Sequence, residues 1–336
     1  MMNITNETPP EHGAPDESSQ DLKKGSRALS ILGFAIIAAV VVGFVLFVPW
    51  SHVFKATDTN YAAAMAAMNK KEWSKAVSLF QKSLKSQPDN AAAHLGLSKA
   101  YLQLGKMDKA LDQVNTAIRY NADNALAYGQ RGIVRKLNKQ FDKALDDFNR
   151  AVTLKPDFAW AQAQIADVLM RKQDYDKALA SVNKALKIEP KFVQALSLRG
   201  RILTRMGKCK DAFRDFSMVQ KLRPKDAWSL QDTAWFLLTC PAESLQDSGK
   251  AMELARKALD ISHGKNGLVQ ETLAEAYFQN GDPLKAVQHQ KRAIELQIKK
   301  CPDGSCVKQM QERLQKYELA ARRETRPDYE ILPLAP

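Results

Sequence analysis

The chain has 336 residues, 45% of them hydrophobic, and a formal net charge of +13. That is ample apolar material for one elongated domain, and it excludes a chain that is disordered throughout. Lys and Arg are scattered instead of clustered in a block, so the positive charge alone specifies no nucleic-acid partner.

Residues 1–27 hold Pro9, Pro10, Glu7, Glu11, Asp16 and Glu17 and almost nothing apolar, the composition of a disordered tail. This stretch carries five acids and three bases, which leaves +15 for the remainder. Ala28 to Val48 then contains no charged residue, and about 20 apolar residues are enough helix to cross a hydrocarbon core. A cleaved signal peptide would carry an apolar run of about 7 to 15 residues and a small-x-small site. Pro49-Trp50-Ser51-His52 follows instead, as an interfacial anchor would. The segment is therefore expected to be a single transmembrane helix in contact with the lipid bilayer. Lys23, Lys24 and Arg27 precede it and Lys55 stands alone after it. The positive-inside rule then puts the N-terminus in the cytoplasm and everything beyond a 49–56 linker outside it, periplasmic in a Gram-negative cell. The opposite topology would make the chain a cytosol-facing adaptor.

From residue 57 to 297 the sequence repeats. Ala76, Ala110, Ala144, Ala178 and Ala212 are each 34 residues apart. Phe80, Val114, Phe148, Val182 and Phe216 lie four residues further on, and Ser83, Ala117, Ala151, Ala185 and Val219 three beyond those. Spacings of four and seven line one face of a helix. Pro88, Pro156, Pro190 and Pro224 stop that helix, since proline lacks an N–H and disfavours helical geometry in its predecessor. Earlier in each unit a small residue recurs at Ala64, Ser98, Gly132, Ala166 and Gly200, where a first helix lets a second approach. Each unit reads helix, turn, helix.

After Pro224 the register bends. Asp226 to Thr239 reads as a sixth first helix, but Ala251 follows Ala212 by 39 residues, so five residues are inserted within Cys240–Ser248. Ala251, Ala255 and Ala258 mark the sixth second helix, and Leu273, Ala274, Tyr277, Ala286 and Ala293 a seventh unit. Residues 298–336 hold a cysteine loop, a capping helix and a tail. The helix is charged, with apolar residues at Val307, Met310, Leu314, Tyr317 and Ala321 to cover the last repeat. Cys301-Pro302-Asp303-Gly304-Ser305-Cys306 has the turn residues to close as a disulfide in an oxidising compartment. Cys209 is expected to be a buried packing residue, and no bond to Cys240 is expected.

Ala125-Leu126-Ala127-Tyr128-Gly129-Gln130-Arg131-Gly132, Phe141-Asp142-Lys143-Ala144-Leu145 and Leu154-Lys155-Pro156-Asp157 closely resemble the tetratricopeptide repeat (TPR) family. Thr233–Pro241 resembles a variant end unit of some bacterial TPR proteins. The resemblance implies an all-α solenoid of helical hairpins, wound as a right-handed superhelix behind the transmembrane helix. It also implies that first helices line a concave groove that binds protein. In that groove the alignment places Lys99, Gln103, Gln130, Ile133, Lys136, Trp160, Gln164, Asp167, Arg171, Gln194, Arg201, Arg205, Trp228, Gln231, Asp232, Trp235, Glu271, Glu275 and Gln279. The site residues proper are Lys99, Lys136, Trp160, Arg171, Arg201, Arg205, Trp228 and Trp235. The middle is basic and aromatic and the C-terminal end acidic, which suits an extended peptide with acidic and apolar side chains.

The family's chaperone-tail clamp is absent, since Tyr61, Met65, Gly96, Leu126 and Gln130 stand in its helices. No enzyme, cofactor or metal is expected. The five histidines are dispersed, no HExxH, GxSxG or phosphate-loop pattern occurs, and Asp146 and Asp147 read as solubilising charges on an exposed face. Nucleic acid is not the expected partner, because the period differs from that of base-reading repeats. The expected function is a membrane-anchored scaffold that recruits a protein or peptide partner, for example in assembly or quality control of envelope proteins. The alternative is a structural role in which the basic face binds surface polymer or anionic lipid.

Overall fold

The computed structural model describes residues 58–299, 304 and 307–325. The expected transmembrane segment at 28–48, Cys301 and Cys306 lie outside the described residues. Among those described, no helix is long and apolar enough to cross a membrane.

Seven helical hairpins follow one another. They are α1 Thr59–Asn69 with α2 Trp73–Ser86, α3 Ala91–Gln103 with α4 Met107–Tyr120, and α5 Ala125–Leu137 with α6 Phe141–Leu154. Then come α7 Ala159–Arg171 with α8 Tyr175–Ile188, α9 Val193–Arg205 with α10 Cys209–Leu222, α11 Ala227–Thr239 with α12 Ser248–Ile261, and α13 Gly267–Gln279 with α14 Pro283–Ile298. A last helix, α15, spans Lys308–Thr325. Each helix packs on its neighbours in sequence, and the first helices of adjacent hairpins also touch, so α9 meets α7 and α11, and α11 meets α13. Contacts limited to neighbours are those of a solenoid.

The repeating columns form its core. All five alanines of the 34-residue series are fully buried, and the Phe/Val column four residues on is 0–1% exposed. Where that column holds Phe, the facing small residue is Gly in two units. A Cβ on Gly132 would lie 2.7 Å from Phe148 Cε1, and one on Gly200 2.8 Å from Phe216 Cζ. Where it holds Val, as at Val114 and Val182, the small-residue column holds Ser98 and Ala166, and Ala166 and Val182 share one core cluster. The turns obey the same period. Lys71, Gly105, Lys139, Gln173 and Gly207, again 34 apart, all have φ between 59° and 73°. First helices are opened by side-chain caps at Asp58, Asn90, Asn124, Asp226 and Asn266.

Two expectations need correction. Asp147 is not a solvated charge. It is 2% exposed and binds Arg131 at 2.7 Å and Arg135 at 2.8 Å, while Asp146 beside it is exposed. Helical geometry turns consecutive residues about 100° apart, so one acid meets α5 and the other meets water. Second, Cys209 and Cys240 are joined by a disulfide with Cα atoms 6.1 Å apart, because the start of α10 and the end of α11 bring both buried side chains together. The inserted stretch Cys240–Ser248 has a local cause. One period after Gly207 stands Pro241, whose ring fixes a negative φ, so the usual left-handed turn is unavailable there. The chain instead makes a 3-10 turn over Glu243–Leu245 before α12 begins behind its cap Asp247.

Candidate groove and its cleft

Residues from six helices meet at the C-terminal end of the groove wall. Met170 of α7, Arg201, Thr204 and Arg205 of α9, Asp232, Trp235 and Phe236 of α11, Leu268 and Glu271 of α13, and Gln309 and Arg313 of α15 line a cleft of about 560 Å3. Phe216 and Phe236, buried with ring centroids 5.1 Å apart, supply its apolar lining. Three of the expected site residues, Arg201, Arg205 and Trp235, are thereby brought together. Trp228, on the first turn of α11, is 57% exposed and lies outside this cleft.

The expected residues nearer the N-terminus behave differently. Lys136 is tied to its neighbours, with Nζ 2.8 Å from Asp167 Oδ2 and 2.7 Å from Gln164 Oε1, and Arg171 Nε reaches the same Asp167 at 3.2 Å. Burial raises the Asp167 carboxyl, yet Lys136, Arg171 and Arg201 together hold it below the ordinary aspartate value. Trp160 is half-buried among Phe148 and Phe158, at centroid distances of 6.1 and 5.4 Å, and its ring fills the space a Cβ on Gly129 would need. It packs between α5, α6 and α7 instead of offering a free face. Lys99 is exposed, and Gln130 is buried.

The acidic end is closed by α15. Arg313 bonds Glu271 and stacks over the Trp235 ring at 4.9 Å, and the buried Tyr317 hydroxyl donates to Glu275 at 2.6 Å. Burial raises the Glu271 carboxyl, with Glu275 adding to it and Arg313 opposing. Gln231 bonds Thr272, and Gln279 bonds the Leu238 carbonyl, so these two hold α11 to α13. Asp232 is the acid that remains in the cleft. Burial pushes its carboxyl up against the pull of Arg201, and no hydrogen bond among the described residues engages it. The chemistry of the cleft is thus two guanidinium groups without ion pairs, one unengaged carboxyl and an aromatic wall.

The repeat alignment identified the α9 and α11 residues because a 34-residue register fixes which face of a first helix points inward. It missed Gln309 and Arg313. Their side chains flank the apolar stripe of the cap, and the repeat register says nothing of a helix that lies outside it, so their place opposite Arg205 of α9 could not be read from the columns.

Among the described residues, no group of His, Cys, Asp and Glu is placed to hold a metal ion. The tetratricopeptide repeat family model matches residues 67–130 and 137–202, and a second tetratricopeptide repeat model matches 269–297. No curated protein matches the chain. A tetratricopeptide repeat protein from Parabacteroides merdae superposes with a TM-score of 0.61 at 16% identity, covering 79% of this chain and all of the other. PilW, described as a widely conserved type IV pilus biogenesis factor, gives 0.56 at 20% identity over 66% of this chain and 99% of its own. The Cut9–Hcn1 hetero-tetramer of the APC/C gives 0.63 at 13% identity, over 84% of this chain and 52% of the other. At these identities the structures share the fold. The 34-residue register and the seven hairpins are those of a tetratricopeptide repeat solenoid, with repeats of that family matched over 67–130, 137–202 and 269–297.

Proposed function

We propose that this chain is a single-pass membrane-anchored scaffold that holds a partner peptide, acidic and apolar in character, in its concave groove outside the cytosol. The observation that carries the groove reading is the cleft where Arg201 and Arg205, neither of them in an ion pair among the described residues, stand beside Trp235 and an apolar floor. Guanidinium forks bind carboxylates through charge-assisted hydrogen bonds, and a neighbouring indole supplies anchoring area. Of the eight site residues, Arg201, Arg205, Trp235 and the exposed Trp228 and Lys99 remain candidates for contact. Trp160, Lys136 and Arg171 support the wall.

Two features support the outward topology. Three of the four basic residues flanking 28–48, Lys23, Lys24 and Arg27, are on its N-terminal side, and a bond such as Cys209–Cys240 is favoured in an oxidising compartment. Anchoring confines the groove to a thin layer, so even weak affinity retains a partner there.

A photo-crosslinking amino acid at Thr204 in intact cells tests the groove, and C-terminal reporters active on only one side of the membrane test the topology. Crosslinked partners that vanish with Arg201→Glu/Arg205→Glu are the expected result. A crosslink pattern unchanged by the charge reversal removes the groove reading, and a cytosolic reporter signal removes the outward one.

A further inference from the structure

One face of α15 is lined by cavities. Gln309, Arg313, Lys316, Ala320 and Arg323 recur at spacings of four and three, which places them on one side of the helix. Between this side and Arg205 of α9 lies a cavity of about 390 Å3, and between it and Phe278, Gly281 and Pro283 lies another of about 480 Å3. Lys316 lines both, while Arg205, Gln309 and Arg313 are shared with the cleft at Trp235. The three form a continuous path from the far end of α15 into the groove. Arg205, Lys316 and Arg323 make no ion pair among the described residues, and Leu319 on the same path is 55% exposed. In these two cavities Arg205, Arg313, Lys316 and Arg323 outnumber the one carboxylate, Glu312, so the path is net basic as well as apolar and calls for an acidic and apolar occupant.

Residues 326–336 have that chemistry. They read Arg-Pro-Asp-Tyr-Glu-Ile-Leu-Pro-Leu-Ala-Pro, with carboxylates at Asp328 and Glu330 and apolar side chains at Tyr329, Ile331, Leu332 and Leu334. Pro327 and Pro333 disfavour helix and bias their predecessors toward extended backbone. Reach is sufficient. Eleven extended residues span about 36 Å, and the run from Thr325 back to Gln309 along α15 is about 24 Å. We propose that residues 326–336 fold back along α15, setting Asp328 and Glu330 against Lys316, Arg313 and Arg205 and their apolar side chains over Leu319 and toward Trp235. The segment then competes with a partner for the groove end, a consequence that rests on the groove reading above.

The test uses the full chain in detergent micelles and a fluorescein-labelled peptide of residues 326–336, read by anisotropy. Asp328→Lys/Glu330→Lys disables the chain's own segment, so this variant binds the peptide about tenfold or more tighter than the wild type if the segment occupies its site nine-tenths of the time. Adding Arg205→Glu/Lys316→Glu abolishes that binding, while a peptide with lysines at 328 and 330 now binds, which separates loss of charge matching from loss of fold. Equal binding to the wild type and the first variant overturns the proposal, as does no saturable binding to either. Equal binding accompanied by peptide-competed dimers indicates exchange between copies and also overturns docking within one chain. Crosslinked partners at Thr204 with no peptide effect would leave the groove reading standing and this one rejected.

Discussion

Asp146 and Asp147 are adjacent carboxylates of very different consequence. Asp147 sits 2% exposed between two guanidinium groups, Arg131 also holding Asn115 at 3.0 Å, and Asp215 repeats the arrangement with Arg199 and Asn183 two units later. Breaking a buried pair by removing one partner costs about 3–5 kcal/mol, because the remaining charge is left desolvated. Arg131 and Arg135 are partly exposed, which places Asp147→Ala at about 3 kcal/mol, whereas Asp146→Ala should change stability by less than about 0.5 kcal/mol. Urea unfolding of both variants decides it, and equal midpoints would refute the distinction. The core was legible to within a residue, since a small residue facing Phe or Val can be read from aligned columns. The Asp147 network was not, because an acid on a helix flank looks the same in sequence whether or not an arginine of the next helix covers it. The columns also support a compensation. Gly132→Ala forces its Cβ to 2.7 Å from Phe148 and should cost about 1–3 kcal/mol, and Gly132→Ala/Phe148→Val should recover part of that loss, since unit four is built with Ala166 and Val182. A double variant no more stable than the sum of the single losses would contradict the pairing.

At the level of hairpins, the recurring left-handed turn residue explains both the regularity and its failure. Lys71, Lys139 and Gln173 hold φ values of 59–63° that glycine adopts freely at Gly105 and Gly207. An L-residue in this region costs about 1 kcal/mol, so Gly207→Ala should lower the thermal midpoint and Gln173→Gly should not. Pro241 occupies this position in unit six and cannot adopt it, which gives the five-residue insertion a physical cause visible in the sequence once the turn column is known. The first helices are also joined by charge. Lys136 of α5 and Asp167 of α7 form a 2.8 Å pair, and the Asp167 carboxyl is held below its ordinary value of 3.8. A carboxyl with a lowered folded pKa binds its proton more readily in the unfolded chain. Its stabilisation is therefore present above pH 3.8 and is lost as pH falls toward the folded value. Asp167→Asn should flatten the decline of thermal stability below about pH 4 while changing its slope little above pH 6. A wild-type-minus-variant difference that stays constant from neutral pH to pH 2 would exclude this contribution.

Across the whole solenoid, stability is a sum of units and their interfaces, so the weakest junction decides where it opens. That junction is expected between units five and six, beside the hairpin whose own turn carries the five-residue insertion. It is also where the structure places its one disulfide among the described residues. Cys209 begins α10 and Cys240 ends α11, so the bond fastens the fifth hairpin to the sixth across 31 residues of sequence. Closing a loop of this size restricts the unfolded chain and is worth about 3 kcal/mol. The bond also borders the cleft, since Thr239 and Pro241 on either side of Cys240 line it. Opening the junction would separate Arg201 and Arg205 on α9 from Trp235 on α11 and Arg313 on α15, so the site exists only while this interface holds. Reduction with dithiothreitol, or Cys209→Ala/Cys240→Ala, should therefore raise hydrogen exchange throughout α11–α15 as one block. The hairpins α1–α8 should keep their protection, because repeat units fold with their neighbours and not with the distant end. Labelled peptide bound at the cleft should be released over the same range of reductant. Exchange that rises evenly along the solenoid, or that does not change on reduction, would show that the junction is not the weak point and that the bond does not maintain the groove.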